Sequence, residues 1–300
     1  MSSRIVVGLG ELLWDLLPAG KKLGGAPANF AYISSLLGDR GVVASRVGND
    51  ELGREVVSCV KKLGGETAEI QTDPIHPTGT VEVSIDNDGQ PKFEIKKSVA
   101  WDFLEWTSGW SALAKRCDAV CFGSLAQRSA QSRETIQSFL QEAFKTAVCV
   151  FDVNLRQGDH TAELLSASMQ NAHVVKLNHE ELPVVAKLFG FESPDEKSAA
   201  KWLQEKFGLR LVCVTRGARG SLMIGENESV EHPGFAVKVA DTVGAGDAFT
   251  AALVHHFLRG ASLAEMSEAA NHLGSWVASQ VGAMPVPDAA RLEKLRAAGR

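Results

Sequence analysis

Short, mostly apolar runs alternate along this chain with longer stretches whose apolar residues recur every three or four positions. Ile5 to Leu9, Ala119 to Phe122, Val148 to Asp152, Val174 to Leu177 and Leu211 to Val214 are runs of the first kind. They are rich in valine and lack the polar alternation of a strand with one wet face. Between them, Ser132 to Phe144 has the helical period, and Ser193-Pro194-Asp195-Glu196 has the form of a capping box opening a helix to Phe207. A rhythm of strand, helix, strand, helix implies a mostly parallel sheet with helices on both faces, an α/β fold. Pro27 is placed to start a further helix that Gly38 ends. Ser262-Leu263-Ala264-Glu265 caps a long last one, through Asn271 and Ser275 to Gln280, which Gly282-Ala283-Met284-Pro285 breaks.

From Thr78 to Ile95 the period changes to two. Val81, Val83 and Ile85 share a face, Asp86-Asn87-Asp88-Gly89 turns the chain, and Phe93 and Ile95 return on a second strand. This hairpin is an excursion from the α/β rhythm. Its apolar face must be covered by a ligand, by the core, or by a second copy of the chain.

The 300 residues are 45% hydrophobic and 22% charged, enough apolar material for a large core. A net charge of -5 offers no basic face to nucleic acid or to an anionic membrane. No apolar run approaches a membrane span, and Ser3-Arg4-Ile5-Val6-Val7-Gly8 reads as a strand rather than a signal peptide, so a cytoplasmic location is expected. The five cysteines, Cys59, Cys117, Cys121, Cys149 and Cys213, are scattered and odd in number, which predicts buried free thiols in a reducing compartment.

The candidate chemistry centres on Asp241-Thr242-Val243-Gly244-Ala245-Gly246-Asp247-Ala248-Phe249, which runs into the apolar start of a buried helix. A Gly-Ala-Gly turn opening a helix gathers unpaired backbone N–H groups at the positive end of the dipole, an anion hole. Asp247 at its lip is either an ordinary N-cap or a base for phosphoryl transfer, ionised and weak at a helix N-terminus. Other phosphate motifs fail: Gly8-Leu9-Gly10 lacks the third glycine of a dinucleotide fingerprint, Leu13 standing in its place, and no Walker-type loop is present. Asp15, among leucines and a tryptophan, is either hydrogen-bonded to a polar ligand or a turn cap before Pro18.

The stretch DTVGAGDAF resembles the C-terminal signature, D-T-x-G-A-G-D, of the ribokinase-like (PfkB) carbohydrate kinases, and Gly24-Gly25-Ala26-Pro27-Ala28-Asn29-Phe30-Ala31 resembles their N-terminal one. Ser45 to Gly53 also matches, with Asn49 where an aspartate is usual. The resemblance covers nearly the whole chain, with its motifs in family order. It implies one ribokinase-like domain over 1–300, a three-layer α/β/α core with a small β-sheet lid from about 11–23 and 76–100. It also implies ATP-dependent phosphorylation of a sugar or nucleoside hydroxyl. Asp247 would be the catalytic base, the Gly244, Ala245 and Gly246 amides would steady the moving phosphoryl group, and Asp15, Gly24, Gly25, Asn29 and Arg156 would surround the sugar.

The same resemblance assigns Asn178 and Glu181, an N-x-x-E motif, to Mg²⁺ and its waters, although the pair is also a capping box in shape. Thr215, Gly217 and Gly220 of a T-x-G-x-x-G loop would hold the nucleotide with Asn271 and Gly274; Arg216 and Arg219 either help with phosphate charge or are solvated. Asp241 and Gly282 would form a monovalent-cation site, so activation by K⁺ is expected. Asp152-Val153-Asn154-Leu155-Arg156 resembles the fructokinase branch in particular, with Gln157-Gly158-Asp159-His160 where Leu-Trp is usual. Arg156 either clamps a sugar oxygen or phosphate, or pairs with Asp152. D-Fructose as the substrate and a homodimer through the lid are the corresponding expectations. The alternatives are a ribose, 2-keto-3-deoxygluconate, nucleoside or sugar-phosphate kinase, or an inactive member that binds a nucleotide or metabolite.

Overall fold

The computed structural model describes residues 3–17, 20–85, 91–156, 158 and 160–298. The chain opens with β1 (Ile5–Leu9), leaves the main sheet for β2 (Leu13–Leu17) and β3 (Gly20–Gly24), and returns through α1 (Ala26–Leu36) to β4 (Arg40–Gly48), α2 (Glu51–Lys62) and β5 (Ile70–Asp73). A second excursion supplies β6 (Gly79–Ile85) and β7 (Pro91–Ile95). After α3 (Ser108–Arg116) come β8 (Ala119–Phe122), α4 (Ala130–Ala143), β9 (Val148–Asp152), α5 (Ala162–Gln170), β10 (Val174–Asn178), α6 (Glu181–Leu188), α7 (Glu196–Phe207) and β11 (Leu211–Thr215). The hairpin of β12 (Ser221–Gly225) and β13 (Ser229–His232) follows, then α8 (Ala245–Phe257), α9 (Leu263–Ala278) and α10 (Ala289–Ala298).

Among the described residues the large sheet has nine strands in the order β13-β12-β11-β10-β9-β8-β1-β4-β5, parallel except where β12 and β13 join its edge. The chain builds outward from β1 to β5 on one side and from β8 to β11 on the other. The direction therefore switches between β1 and β8, and the crevice beyond the carboxyl ends of the strands at such a switch is where open α/β sheets bind ligands. Neighbouring residues of each strand bury on opposite faces. Val7, Val120, Phe151 and Val212 pack with the α3, α4 and α7 side, whereas Val6, Cys121, Val150 and Cys213 pack with α1, α8 and α9. Burial on both faces explains why these strands read as unbroken apolar runs. All five cysteines are free thiols.

Local signals are mostly realised where they were read, with one shift. Ser262 and Glu265 form their capping box, and α9 ends at Ala278, slightly short of Gln280. The cap of α7 is Asp195, which accepts from the Ser198 amide at 2.9 Å; Ser193, the predicted cap, instead accepts from the Asp195 amide at 3.1 Å. Pro194 stands between them, and the shorter aspartate already satisfies the first turn.

The two excursions join as a separate sheet in the order β3-β2-β6-β7. Its register places Leu13, Asp15, Lys22, Gly24, Gly79, Val81 and Ile95 on one face. Val81 and Ile95 are buried within the single chain and join Trp101 and Leu104 in the main core. The expectation that Val81 lies on a bare face is thus not met, because the core covers it. The predicted turn at Asp86-Asn87-Asp88-Gly89 and the side chains of Val83, Ile85 and Phe93 lie outside the described residues.

Helix α1 is seated directly on β1, where a Cβ added to Gly8 would fall 2.0 Å from the Pro27 carbonyl oxygen. Gly8→Ala should push the start of α1 outward at a cost of about 1–3 kcal/mol. Calorimetry should show a thermal midpoint lower by several degrees. An unchanged midpoint would mean that α1 adjusts freely.

Candidate active site

Helix α8 starts above the carboxyl ends of the central strands. Its N-cap is Gly244, at φ +80, and no side chain caps it, so the Gly246 and Asp247 amides remain open to an anion, whereas the Ala245 amide expected beside them donates to the Thr242 carbonyl at 3.3 Å. Asp247 is therefore not the N-cap but a first-turn residue facing the cleft. Gly244 has no room for a side chain, because a Cβ there would lie 2.5 Å from that of Ala283. Gly246 lies over Lys176, whose Nζ would be 3.0 Å from an added Cβ.

Lys176 is buried on β10 and contacts both Asp152 carboxylate oxygens, at 3.0 and 3.1 Å; the Thr250 hydroxyl donates to the same carboxylate at 3.0 Å. Burial works to lower the Lys176 pKa, but Asp152, Glu181 and Asp247 outweigh it and keep the ammonium charged. Lys176 is absent from the predicted site. Its signal was a lone lysine inside an apolar parallel strand, which is costly unless paired. Since Asp152 is committed to Lys176 and Thr250, the alternative pairing of Asp152 with Arg156 is not made. Arg156 is exposed, and its charge lowers the pKa values of Asp247 and Glu11.

Asn29 Nδ2 donates to Asp247 Oδ2 at 2.7 Å, joining the two motifs that resemble the family signatures. Burial raises the Asp247 carboxyl to about 6, helped by Asp152 and opposed by Asn29, Lys176 and Arg156. The expectation of a weak, strongly ionised base is corrected: burial outweighs the helix dipole, and the pKa approaches the range of an efficient general base. Pro27, Phe30, Phe122, Gly123, Asn154 and Asp247 line a cleft here. Asn154 holds φ +44, a left-handed conformation that asparagine tolerates better than most residues.

A second residue absent from the predicted site is Glu11. It is 4% exposed, and its Oε2 has no partner among the described residues. Burial pushes its carboxyl to about 7; its own amide lowers it, Asp247 raises it, and the Ala26 amide and Arg156 lower it. The predicted glycines serve these acids. A Cβ on Gly24 would fall 2.5 Å from Asp15 Oδ2, and one on Gly25, at φ +109, 2.5 Å from the Glu11 carbonyl oxygen. The close approach they permit is by the protein's own carboxyl-bearing residues. Asp15 is partly buried, which raises its pKa against the pull of Lys22.

Asn178 and Glu181 form the capping arrangement: Asn178 Oδ1 accepts from the amides of Glu180 and Glu181 at 2.8 Å, and Glu181 Oε2 from that of Asn178 at 2.9 Å. Glu181 Oε1 also accepts from the Leu155 amide at 2.8 Å, tying α6 to the loop that carries Arg156. Each carboxylate oxygen keeps a second lone pair, which suits a hydrated Mg²⁺ held through water. Among the described residues no cluster of three or more His, Cys, Asp or Glu side chains could hold a metal directly.

On the nucleotide side, Thr215 ends β11, and Gly217 at φ +59 opens the turn to Gly220. Packing within the protein also uses several of the residues there. A Cβ on Gly220 would fall 1.9 Å from the His232 carbonyl oxygen, so this glycine serves the β13 end. Asn271 Nδ2 is spent on Ser221 Oγ at 2.8 Å and the Ser267 carbonyl at 2.7 Å, and Gly274 faces the Ala245 carbonyl, 3.1 Å from an added Cβ. Both residues join α9 to its neighbours. Arg216 neither meets solvent freely nor waits for phosphate, being bound to Glu196 and Glu231 at 2.5 and 2.8 Å. Asp241 Oδ1 accepts from the Val243 amide at 3.1 Å, and Oδ2 from that of Gly282 at 3.1 Å, while Lys22 Nζ reaches Oδ2 at 3.6 Å. An ammonium thus stands beside the carboxylate at the place where the monovalent cation was expected. Asn49 is exposed, and its neighbour Asp50 caps α2 and binds Thr78 at the lid's base.

The Asp247 shift, from 3.8 to about 6, also bears on stability. A carboxyl whose folded pKa is raised favours the fold when protonated, below its unfolded pKa, and that contribution is lost as pH rises through the folded value. About two units correspond to about 3 kcal/mol against the ionised native state. Asp247→Asn should therefore melt above the unsubstituted protein at pH 8, with the gap closing toward pH 4. A gap that does not vary with pH would contradict the raised value.

Comparison with known proteins gives the same picture. The pfkB family carbohydrate kinase pattern matches residues 19–289. An uncharacterized sugar kinase, PH1459, from Pyrococcus horikoshii superposes with a TM-score of 0.85 at 28% identity, covering 99% of this chain and 98% of the other. A fructokinase from Vibrio alginolyticus is 30% identical over 92% of this chain and 93% of its own length. A double-mutant fructokinase from Vibrio cholerae O395, solved with fructose, ADP and a potassium ion, has a TM-score of 0.80 at 29% identity and 98% coverage of both chains. No helix of the described residues is long and apolar enough to cross a membrane. With the fold, the anion hole and both signatures in agreement, the chain belongs to the PfkB family of carbohydrate kinases.

Proposed function

We propose that the protein transfers the γ-phosphoryl group of ATP to a hydroxyl of D-fructose, with Mg²⁺ as the working metal. The observation that carries this reading is the Asn29 to Asp247 hydrogen bond of 2.7 Å, which sets a base of pKa about 6 between the lid-covered cleft and the open amides of α8. Asp15 and Asn29 would hold sugar hydroxyls. Asn29 Oδ1 and Glu11 Oε2, both buried and without partners among the described residues, are further acceptors for them. A site of this kind rejects analogues that leave such groups unsatisfied.

In the reaction, a sugar hydroxyl oxygen attacks the γ-phosphorus, the bond to the ADP oxygen breaks, and the hydroxyl proton passes to Asp247. Gly246 and Asp247 amides would receive the charge of the transferring group. Mg²⁺, held through water at Asn178 and Glu181, would neutralise phosphate charge. The lid's apolar face excludes water, and Arg156 adds positive charge at the cleft mouth. The preference for fructose rests on Gly10-Glu11-Leu12-Leu13-Trp14-Asp15, the Gly-Gly-Ala-Pro-Ala-Asn form of the first signature, and Asp152 to Arg156, together with fructokinase relatives at 26–30% identity.

Asp247→Asn should lower kcat by roughly 10²-fold or more while nucleotide binding persists. Near-normal turnover would remove Asp247 from its role. The unsubstituted enzyme should lose kcat as pH falls through about 6, because the protonated carboxyl cannot accept the hydroxyl proton. For substrate, kcat/KM is to be compared for fructose, ribose, 2-keto-3-deoxygluconate, adenosine and fructose phosphates with ATP and Mg²⁺. Any competitor ahead of fructose by about tenfold, an amount one pocket contact can produce, displaces the fructose assignment and leaves the kinase one standing.

A further inference from the structure

Lys22 and Asp241 meet across the mouth of the cleft. Lys22 is on β3 of the lid, on the covered face beside its register partner Asp15, while Asp241 precedes α8 on the core. Lys22 Nζ lies 3.6 Å from Asp241 Oδ2, and a Cβ on Gly282 would lie 3.9 Å from the same ammonium, which hangs over that turn. The carboxylate braces the two loops that shape the anion hole. Through Oδ1 it holds the Val243 amide, one residue before Gly244, and through Oδ2 that of Gly282, one residue before the Ala283 against which Gly244 is packed. The same ammonium pulls on Asp15, so one lid charge is felt on the sugar side and on the phosphoryl side.

We propose that Lys22 is the built-in cation of the Asp241 turn: in this lid position its ammonium, in place of a dissolved monovalent ion, balances the carboxylate that holds the Val243 and Gly282 loops around the anion hole. Lys22 is then a positioning residue that acts through Asp241 and touches neither sugar nor phosphoryl group. Its kinetic consequence rests on the kinase reading above; its effect on cation binding does not.

The test compares unsubstituted protein, Lys22→Gln and Lys22→Arg in KCl and in tetramethylammonium chloride at equal ionic strength, reading thermal midpoints without substrate and initial rates of ADP formation with fructose and ATP. The unsubstituted protein and Lys22→Arg should give equal midpoints and rates in the two salts. Lys22→Gln should lose roughly two- to fivefold in kcat in tetramethylammonium, the scale of a half-exposed ion pair, with KM for the sugar changed less. KCl should restore the rate and raise the midpoint of Lys22→Gln alone. Equal K⁺ responses in unsubstituted protein and Lys22→Gln, or no K⁺ response in Lys22→Gln, would overturn the proposal. No ADP formation with any sugar would instead overturn the kinase reading, and the midpoints would still decide the role of Lys22.

Discussion

The contact between Lys176 and Asp152, at 3.0 and 3.1 Å between neighbouring strands β10 and β9, sits under everything the site does. Burying either charge alone costs several kcal/mol, so each is tolerable only with the other, and Thr250 supplies a further hydrogen bond. The pair is placed at the carboxyl edge of the sheet, directly beneath the first turn of α8. From there Asp152 pushes the Asp247 pKa up and Lys176 pulls it down. The base is tuned by an ion pair held between two strands of the sheet.

Above that floor, the lid resolves two demands with one face. An apolar sheet must be covered, and Val81 and Ile95 meet Trp101 and Leu104 to do so. A sugar needs polar partners, and Asp15 lies in the same register on that face. Gly24 makes this compatible: without a side chain it leaves the space that the Asp15 carboxylate occupies. The two loop glycines thus set the position of the lid's acids relative to α1, and through α1 the position of Asn29 against Asp247.

Much of this was legible in the sequence because parallel strands, capping residues and Gly-rich turns leave local signatures. The apolar runs from β1 to β11 and the Gly244 to Asp247 turn formed where they were read. What escaped was long-range. Lys176 and Glu11 acquire their roles from residues far away in the chain, and a single buried charge in a strand or loop has no periodicity to announce it. Asn271 and Gly274 also serve the packing between α8, α9 and β12, a use that their residue types did not announce. Asn178 and Glu181 show that a capping box and a candidate metal site can be the same atoms, since the cap fixes the carboxylate and leaves lone pairs outward.

The charge around the cleft explains why the acids there are not all ionised at once. Glu11, Asp15, Asp152 and Asp247 face Lys22, Lys176 and Arg156, four acids against three bases, before a polyanionic nucleotide arrives. Full ionisation would leave a net negative pocket for an anionic substrate. Burial removes part of that charge by holding Glu11 near 7, so that it is about half protonated at neutral pH. Asp247, near 6, stays mostly ionised and available as a base. The acid nearest neutrality is the one with a partnerless oxygen, which when protonated can donate to a sugar hydroxyl as well as accept from one. The remaining attraction for phosphate comes from the open amides of α8, the Arg156 guanidinium and the paired lysines.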